Sequence, residues 1–406
     1  MKRIISVLLS LSMIFALCVF VSGEDPKTAV VTSQNSIRFE DLDSLVKASN
    51  LNVLALAENI ASLDELDYKM LEDDLRDKLN STAELQWGFE TMPQTSLVEN
   101  VLMGMQIKQL DSGYDQIREQ FDNLRDGTMK ADNDKVKASL ETLQNQAVMG
   151  AESLFISYKT MEVQRTALVR QIAALERTLD TLEIRKNAGQ VSELNILEMK
   201  SGIAAAESGL ATLDNGLELM KLQLKGLLGI DLDAKISLAG LSDPDGKAIA
   251  SMSLEEDLKK AKSVSTELVS AADTLADAKE TYEDAKDEYG VYSEKNEWNA
   301  AKHTYKAAQY QYDASVQSYE LKFRTLYLNT KDLAQAYEYQ KSLKELKEKT
   351  LQVAQIKYSY GQISRYALLD AQDSYDSYLN DLENAKLKLI DSYTKYQHAV
   401  NDGILN

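Results

Sequence analysis

This chain of 406 residues contains the same long pattern twice. When Gly189 is aligned with Gly361, an offset of 172 residues, similar residues recur on both sides of the glycine. The matched pairs are Ile184 with Ile356, Gln190 with Gln362, Ser192 with Ser364, Leu197 with Leu369, Leu210 with Leu382 and Leu217 with Leu389. A repeat of this length predicts two copies of one supersecondary unit that pack against each other.

Each copy has the pattern of a helical hairpin. A long stretch with apolar residues at helical spacing runs into Gly189 or Gly361, and the periodicity restarts at Leu197 and Leu369. Glycine is the residue that most often ends a helix, because it adopts the left-handed conformation without strain. The two glycines are therefore predicted to mark the ends of two hairpins.

The apolar spacing in both halves predicts helices that coil around their neighbours. Steps of three and four residues alternate, which is the 3.5-residue period of a left-handed coiled coil. In the first half the series is Tyr158, Met161, Leu168, Ile172, Leu175, Leu179 and Leu182. With only 3 prolines in the chain, the pattern favours an all-α fold of long antiparallel hairpins with β-strands minimal or absent.

The repeat also predicts the domain organisation. We assign residues 36–230 to the first helical-hairpin repeat, 231–250 to a linker and 251–404 to the second repeat. Leu45 matches Leu258 at an offset of 213, which exceeds the later offset by about 41 residues. The extra chain is placed at about 87–135, and the stretch from Ser36 to about Asn80 is predicted to be helical.

The N-terminus has the pattern of a secretory signal peptide. Lys2 and Arg3 precede an apolar run that ends near Ser22 and Gly23, so cleavage is expected after residues 1–23 and the mature protein is expected to be exported. An uncleaved anchor helix is the alternative, because the apolar run approaches the length of a bilayer span. Cys18, the one cysteine, lies inside this run.

Composition argues against several functions. A net charge of −19 does not suit a nucleic-acid partner, which calls for a basic patch. His303 and His398 are far apart and have no cysteine partners, so no metal site is expected. No phosphate-binding loop or nucleophile motif is present. We expect a protein that is not an enzyme and needs no cofactor.

Two stretches resemble the TolC-type outer-membrane efflux family. They are RKNAGQVSELNILEMKSGIAAAESGLATLDNGLELMKLQLKGLLG, from Arg185, and IKYSYGQISRYALLDAQDSYDSYLNDLENAKLKL, from Ile356. The resemblance implies a location in the cell envelope, which is the outer membrane and periplasm if the cell has two membranes and the cell surface otherwise. It implies a homotrimer whose helices enclose a hollow cylinder, closed at the hairpin ends. It implies that these ends dock on a membrane-fusion-type adaptor of an inner-membrane pump, and that cargo is transported outward.

The resemblance also implies roles for particular residues. The adaptor contact would be formed by Gly189, Gln190, Val191, Gly361, Gln362 and Ile363. Glu198 and Asp370 match an acidic position that narrows the closed aperture. A second acidic position is Asn195 and Ala367 here, so a strongly charged aperture ring is not expected.

The chain departs from the family in the stretches where membrane strands are expected. A strand of a β-barrel needs roughly 9–11 residues of alternating polarity. Only Leu85–Glu90 alternates, and it is short. The barrel strands are therefore predicted to be mostly or wholly missing. Two functions stay open: a TolC-like export conduit, or a secreted coiled-coil scaffold derived from the same family that has no channel activity.

Overall fold

The computed structural model describes residues 36–93, 97–290 and 296–405, and these are almost entirely helical. The predicted signal peptide and Cys18 lie outside the described residues. The elements of the first half are β1 (Ser36–Ile37), α1 (Leu42–Ser49), α2 (Leu51–Asp64), α3 (Tyr68–Glu90), α4 (Leu97–Arg125), α5 (Thr128–Asn187) and α6 (Glu193–Leu227). Those of the second half are β2 (Ser237–Leu238), α7 (Gly246–Ala250), α8 (Leu254–Val264), α9 (Thr266–Tyr289), α10 (Asn296–Ser342), α11 (Lys344–Ser359) and α12 (Arg365–Asp402).

The first half forms two antiparallel hairpins that share α5. In the first, α2 and α3 run alongside α5 and α4: Lys137 pairs with Asp64 at 2.7 Å, and Gln86 donates to Asp111 at 2.5 Å. In the second, α5 turns back into α6. Long side chains cross this seam, as where the Arg165 guanidinium meets Asp214.

The second half repeats this plan. Helix α9 packs antiparallel on α10, where the rings of Tyr282 and Trp298 stack with centroids 5.2 Å apart. Helices α10 and α11 then turn back into α12, and the Tyr378 hydroxyl donates to the Gln340 carbonyl oxygen at 2.8 Å. The predicted all-α architecture of two tandem hairpin repeats is confirmed.

The described strands form one small sheet that joins the beginnings of the two halves. Strands β1 and β2 are parallel, with Ser36 opposite Ser237 and Ile37 opposite Leu238. Each strand has only two residues, so the sheet contributes a local tie and the helices provide the core. Minimal β-structure is what the sequence predicts.

Helix α12 lies between two apolar cores. Leu387 and Ile390 pack into the core of the first half, around Phe155 and Leu224. Leu389 and its neighbours pack into the core of the second half. Because successive residues of a helix point in different directions, one helix supplies side chains to both cores and holds the halves together.

A buried kink at Asn50 separates α1 from α2, so the stretch from Ser36 to Asn80 is not one continuous helix. The Asn50 side-chain oxygen accepts from the N–H groups of Asn52 and Val53, which caps α2. Its amide nitrogen donates to the Leu227 carbonyl oxygen at 2.8 Å. Asparagine serves here because one side chain satisfies free backbone groups of two different helices.

Gly229 packs directly on this kink. It has a φ of +59°, and a Cβ on it would lie 2.1 Å from the Ser49 carbonyl oxygen. The second half has the same device: Ser265 separates α8 from α9, and Gly403, with φ +68°, would place a Cβ 2.5 Å from the Ser265 Cα. The end of each repeat therefore closes on the kink near its beginning.

The first hairpin is longer than its counterpart. From the kink at Asn50 the outgoing arm continues to Glu90, whereas the arm that follows Ser265 ends at Tyr289. Leu85–Glu90, the alternating segment, is the last part of α3 and is helical. Within the described ranges, no helix combines the length and apolar character that crossing a bilayer requires.

Candidate functional site at the hairpin ends

The turn between α5 and α6 is built on Gly189. Its φ is +74°, and its N–H donates to the Lys186 carbonyl oxygen at 2.8 Å. The next N–H, of Gln190, donates to the Arg185 carbonyl oxygen at 2.9 Å. These two bonds form a Schellman motif, which satisfies the last carbonyl groups of α5.

The turn between α11 and α12 has the same geometry. Gly361 has φ +69°, and its N–H donates to the Tyr358 carbonyl oxygen at 2.9 Å. The Gln362 N–H donates to the Lys357 carbonyl oxygen at 2.8 Å. The repeat seen in the sequence is therefore reproduced at the level of single backbone hydrogen bonds.

Serine begins the next helix in both turns. Ser192 caps α6 and forms a reciprocal capping box with Asn195, whose side-chain oxygen accepts from the Ser192 N–H at 3.1 Å. Ser364 caps α12 by accepting from the Ala367 N–H at 3.1 Å. Asn195 stands at one of the positions expected to be acidic, and the structure gives its side chain a local role in the turn.

The remaining tip residues differ in exposure. Val191 and Ile363 are half-buried, whereas Gln190 and Gln362 are exposed beside their glycines. The exposed amides and the glycine backbone are accessible to a partner.

Glu198 and Asp370 are exposed on the helices that follow the two turns, α6 and α12. Their placement leaves both carboxylates accessible to solvent or to another molecule.

The two hairpin ends lie at the same end of the molecule. Arg177 on α5 forms an ion pair with Asp373 on α12. Each of these residues is twelve positions from the glycine of its own hairpin. The two tips therefore lie at the same height along the hairpins, although they are 172 residues apart in sequence.

Sequence reasoning missed charged and apolar residues at these ends. Lys186 forms an ion pair with Glu193 across the first turn, and Lys200 pairs with Glu183 at 3.1 Å. Large apolar side chains are exposed near both turns: Ile184, Leu194, Leu197, Val353, Ile356, Tyr358, Tyr360 and Tyr366. Tyr360, beside Gly361, is 77% exposed. A search for apolar residues outside the heptad seam would have found several of them.

Periodicity restarts in the first hairpin one residue earlier than predicted. Ile196 is buried against α5, and Leu197 is 55% exposed. Two adjacent apolar residues can each begin a helical stripe, and the sequence alone does not say which one meets the opposite helix.

A largely buried histidine lies far from the tips. His398 on α12 has Nε2 2.7 Å from Glu152 and Nδ1 2.7 Å from Asp402. Burial would lower the pKa of His398, but the two carboxylates outweigh burial and raise it to about 9. His303 is exposed. Among the described residues, no group of three or more His, Cys, Asp or Glu side chains is arranged to hold a metal ion.

Comparisons with known proteins identify the fold. No family model matches the sequence, and no curated protein matches it. The CmeC outer membrane channel of Campylobacter jejuni is similar in structure, with a TM-score of 0.50 and 12% identity over 71% of this chain and 68% of that one. A membrane protein from Pseudomonas aeruginosa has a TM-score of 0.50 and 11% identity over 95% of this chain and 98% of that one. At these identities the likeness concerns the fold, and the chain has the helical fold of these envelope proteins.

Proposed function

We propose that this chain is a subunit of an export conduit in the cell envelope, and that its hairpin ends dock on an adaptor of an inner-membrane pump. The observation that carries the proposal is the matched pair of turns. Gly189 and Gly361 have the same backbone geometry, and both lie at one end of the molecule. The shared fold with the CmeC outer membrane channel supports the same reading.

The chemistry of the hairpin ends suits a protein partner. The glycines expose backbone, Gln190 and Gln362 offer amide groups, and Tyr360 offers an aromatic surface. Apolar and aromatic side chains surrounded by polar groups are typical of the centres of protein interfaces. We propose that the ends of helical hairpins from the adaptor contact these groups.

Assembly from several copies accounts for the apolar surface along the helices. A single chain leaves large apolar residues exposed on its long hairpins: Leu219, Leu222, Leu321, Leu328, Tyr339 and Leu346. Soluble monomers seldom expose so much apolar surface without covering it with a partner. We propose a homotrimer in which these residues meet neighbouring copies and the helices surround a central passage.

The acidic residues would then contribute to the inner opening. Glu198 and Asp370 are exposed on α6 and α12, so assembly is free to bring copies of them together. The second position expected to be acidic bears no charge, because it is the amide Asn195 in the first hairpin and Ala367 in the second. We propose a weakly charged constriction.

Site-specific crosslinking in the source cells tests the docking. A photo-reactive residue at Gln190 or Gln362 should capture the adaptor protein, and the same residue at Glu283, which is exposed on α9, should not. Loss of export after deletion of the gene should accompany this result.

The scaffold alternative makes the opposite prediction. It expects crosslinks among copies of this chain alone, with normal export after deletion of the gene. That pair of results would contradict the proposed conduit.

A further inference from the structure

The free end of the long first hairpin, formed by the end of α3 and the beginning of α4, has an exposed apolar surface. We call it the apolar cap. Its exposed side chains are Leu85, Trp87, Met92, Val101, Leu102 and Met105. Trp87 is 69% exposed and Met105 is 65% exposed. Several large apolar side chains exposed at one end of a protein mark a contact surface for another molecule.

The apolar cap is also almost without charge. Between Leu85 and Ile107, 2 of 23 residues are charged, namely Glu90 and Glu99. The matching window around the second hairpin end, from Glu280 to Lys302, has 10 charged residues of 23. The two hairpins share one fold, so the difference is specific to the surface of the first. A surface with so few charges, on a chain of net charge −19, suits a partner that is itself neutral and apolar.

The exposed residues surround the hairpin end. Leu85 and Trp87 are two positions apart on α3, so they point to nearly opposite sides of that helix. Val101 and Met105 share one face of α4. A second protein laid against one side would cover only part of this surface, whereas a fluid apolar phase covers it from all sides.

The backbone within the two helices of this end is hydrogen-bonded along each helix. Helices α3 and α4 bond their own peptide groups, and the Thr91 hydroxyl donates to the Trp87 carbonyl oxygen at 2.8 Å. When these helical parts enter an apolar phase, few of their backbone polar groups are left without a hydrogen bond. The uncharged part of α4, from Asn100 to Ile107, is roughly 12 Å long at 1.5 Å per residue, which is a little less than half the hydrocarbon thickness of a bilayer.

From these observations we infer that the apolar cap inserts into one leaflet of a lipid bilayer whose headgroups carry no net charge. Trp87 would lie among the acyl chains and headgroups, a location that favours tryptophan. The chain would be anchored at this end by burial of apolar surface, without crossing the bilayer and without attraction between opposite charges. The inference goes beyond the proposed function and does not depend on it.

Intrinsic fluorescence gives a direct test, because the chain has 2 tryptophans. Trp298 is 4% exposed and stacks on Tyr282, so its emission is expected to stay constant. Adding phosphatidylcholine vesicles to the full-length mature protein should shift the emission of Trp87 to shorter wavelength. The vesicles should also protect the fluorescence of Trp87 from quenching by iodide, and brominated acyl chains should quench it.

Flotation of the protein with the same vesicles measures the binding. Replacing both Leu102 and Met105 with Gln should weaken the partition into vesicles on the order of tenfold or more, because two large apolar side chains no longer enter the lipid. The matched control is Tyr310→Gln, which removes an exposed aromatic residue from the charged second hairpin. It should float like the unchanged protein, and circular dichroism should show equal helicity for all three.

Several outcomes would overturn the inference. One is absence of flotation and of any spectral change with phosphatidylcholine. Another is binding that needs anionic lipid and is lost in concentrated salt. A third is burial of Trp87 that increases with protein concentration in the absence of vesicles, which would assign the apolar cap to contacts between copies of this chain.

Discussion

His398 Nε2 lies 2.7 Å from Glu152 Oε2, and this contact joins α12 of the second repeat to α5 of the first. The other ring nitrogen meets Asp402, which also accepts from Asn145 of α5 at 3.0 Å. A charged imidazole held between two carboxylates therefore lies at the junction of the halves. Asp43 and Lys47 on α1 line the same groove.

The stability of the fold should fall with rising pH because of this histidine. Its pKa in the folded state is about 9, above the ordinary value of 6.5. The stabilisation is therefore fully present below pH 6.5, declines between 6.5 and 9, and is lost above that. The shift corresponds to about 2–4 kcal/mol. Urea unfolding at pH 6, 8 and 9.5 measures it.

His398→Gln provides the control for this dependence. Glutamine keeps a hydrogen-bonding side chain but cannot gain a proton. The variant should be less stable at pH 6, and its stability should change less between pH 6.5 and 9. An equally steep decline in the variant would show that other groups cause it.

Gly229→Ala should destabilise the protein strongly. The added methyl would lie 2.1 Å from the Ser49 carbonyl oxygen, and backbone must move to relieve this contact. The positive φ adds strain of about 1 kcal/mol. We expect a loss of more than 3 kcal/mol in the free energy of unfolding, within the range of severe single substitutions.

Gly226→Ala is the matched control, three residues earlier. It lies inside α6, and a Cβ there meets nothing within 4 Å. Alanine favours helix over glycine by about 1 kcal/mol, so this variant should be as stable as the original protein or slightly more so. Equal effects of the two substitutions on chemical denaturation would disprove the close contact at Gly229.

Gly361→Val should disturb only the second turn. Valine at φ +69° is strained, but space around Gly361 is open and the long helices do not depend on it. We expect helicity to be unchanged by circular dichroism and the Gln362 amide to exchange faster, because its bond to the Lys357 carbonyl weakens. Gln362→Val, at a residue with negative φ, should leave exchange unaltered. A global loss of helicity in Gly361→Val would contradict this local role.

Removing the two equivalent kink residues should have unequal effects. The Asn50 side chain accepts two hydrogen bonds and donates one. The Ser265 hydroxyl oxygen caps α9 with one long hydrogen bond, accepted from the Leu268 N–H at 3.4 Å. Asn50→Ala should cost about 2–3 kcal/mol and Ser265→Ala about 0.5–1 kcal/mol, from lost caps and an unpaired carbonyl. Thermal or urea unfolding of the two variants side by side measures the difference, and a larger loss for Ser265→Ala would contradict it.

Much of the architecture could be predicted because the repeat is long, and because a glycine that recurs at the same place in both copies marks a turn that needs a positive φ. Gly189 and Gly361 were identifiable from sequence, and both adopt positive φ. The kink at Asn50 could not be predicted, because its partner, the Leu227 carbonyl, is distant in sequence. Asparagine is a weak signal until that partner is known.

The end of α3 shows a different limit. Leu85–Glu90 alternates in polarity like a strand, yet it is helical. At this hairpin end little is buried against the rest of the chain, so the alternation reflects no buried face. The preceding helix simply continues, and only a longer alternating run would have been informative.

The unequal lengths of the two hairpins have a consequence for symmetry. At the glycine turns both repeats reach the same level, so a closed ring of copies would have an even rim with twice as many hairpin ends as subunits. At the opposite edge only the longer hairpin of each copy extends fully, so the rim has one long projection per subunit. A ring built from this duplicated chain would therefore look nearly sixfold from one side and threefold from the other if three copies close it.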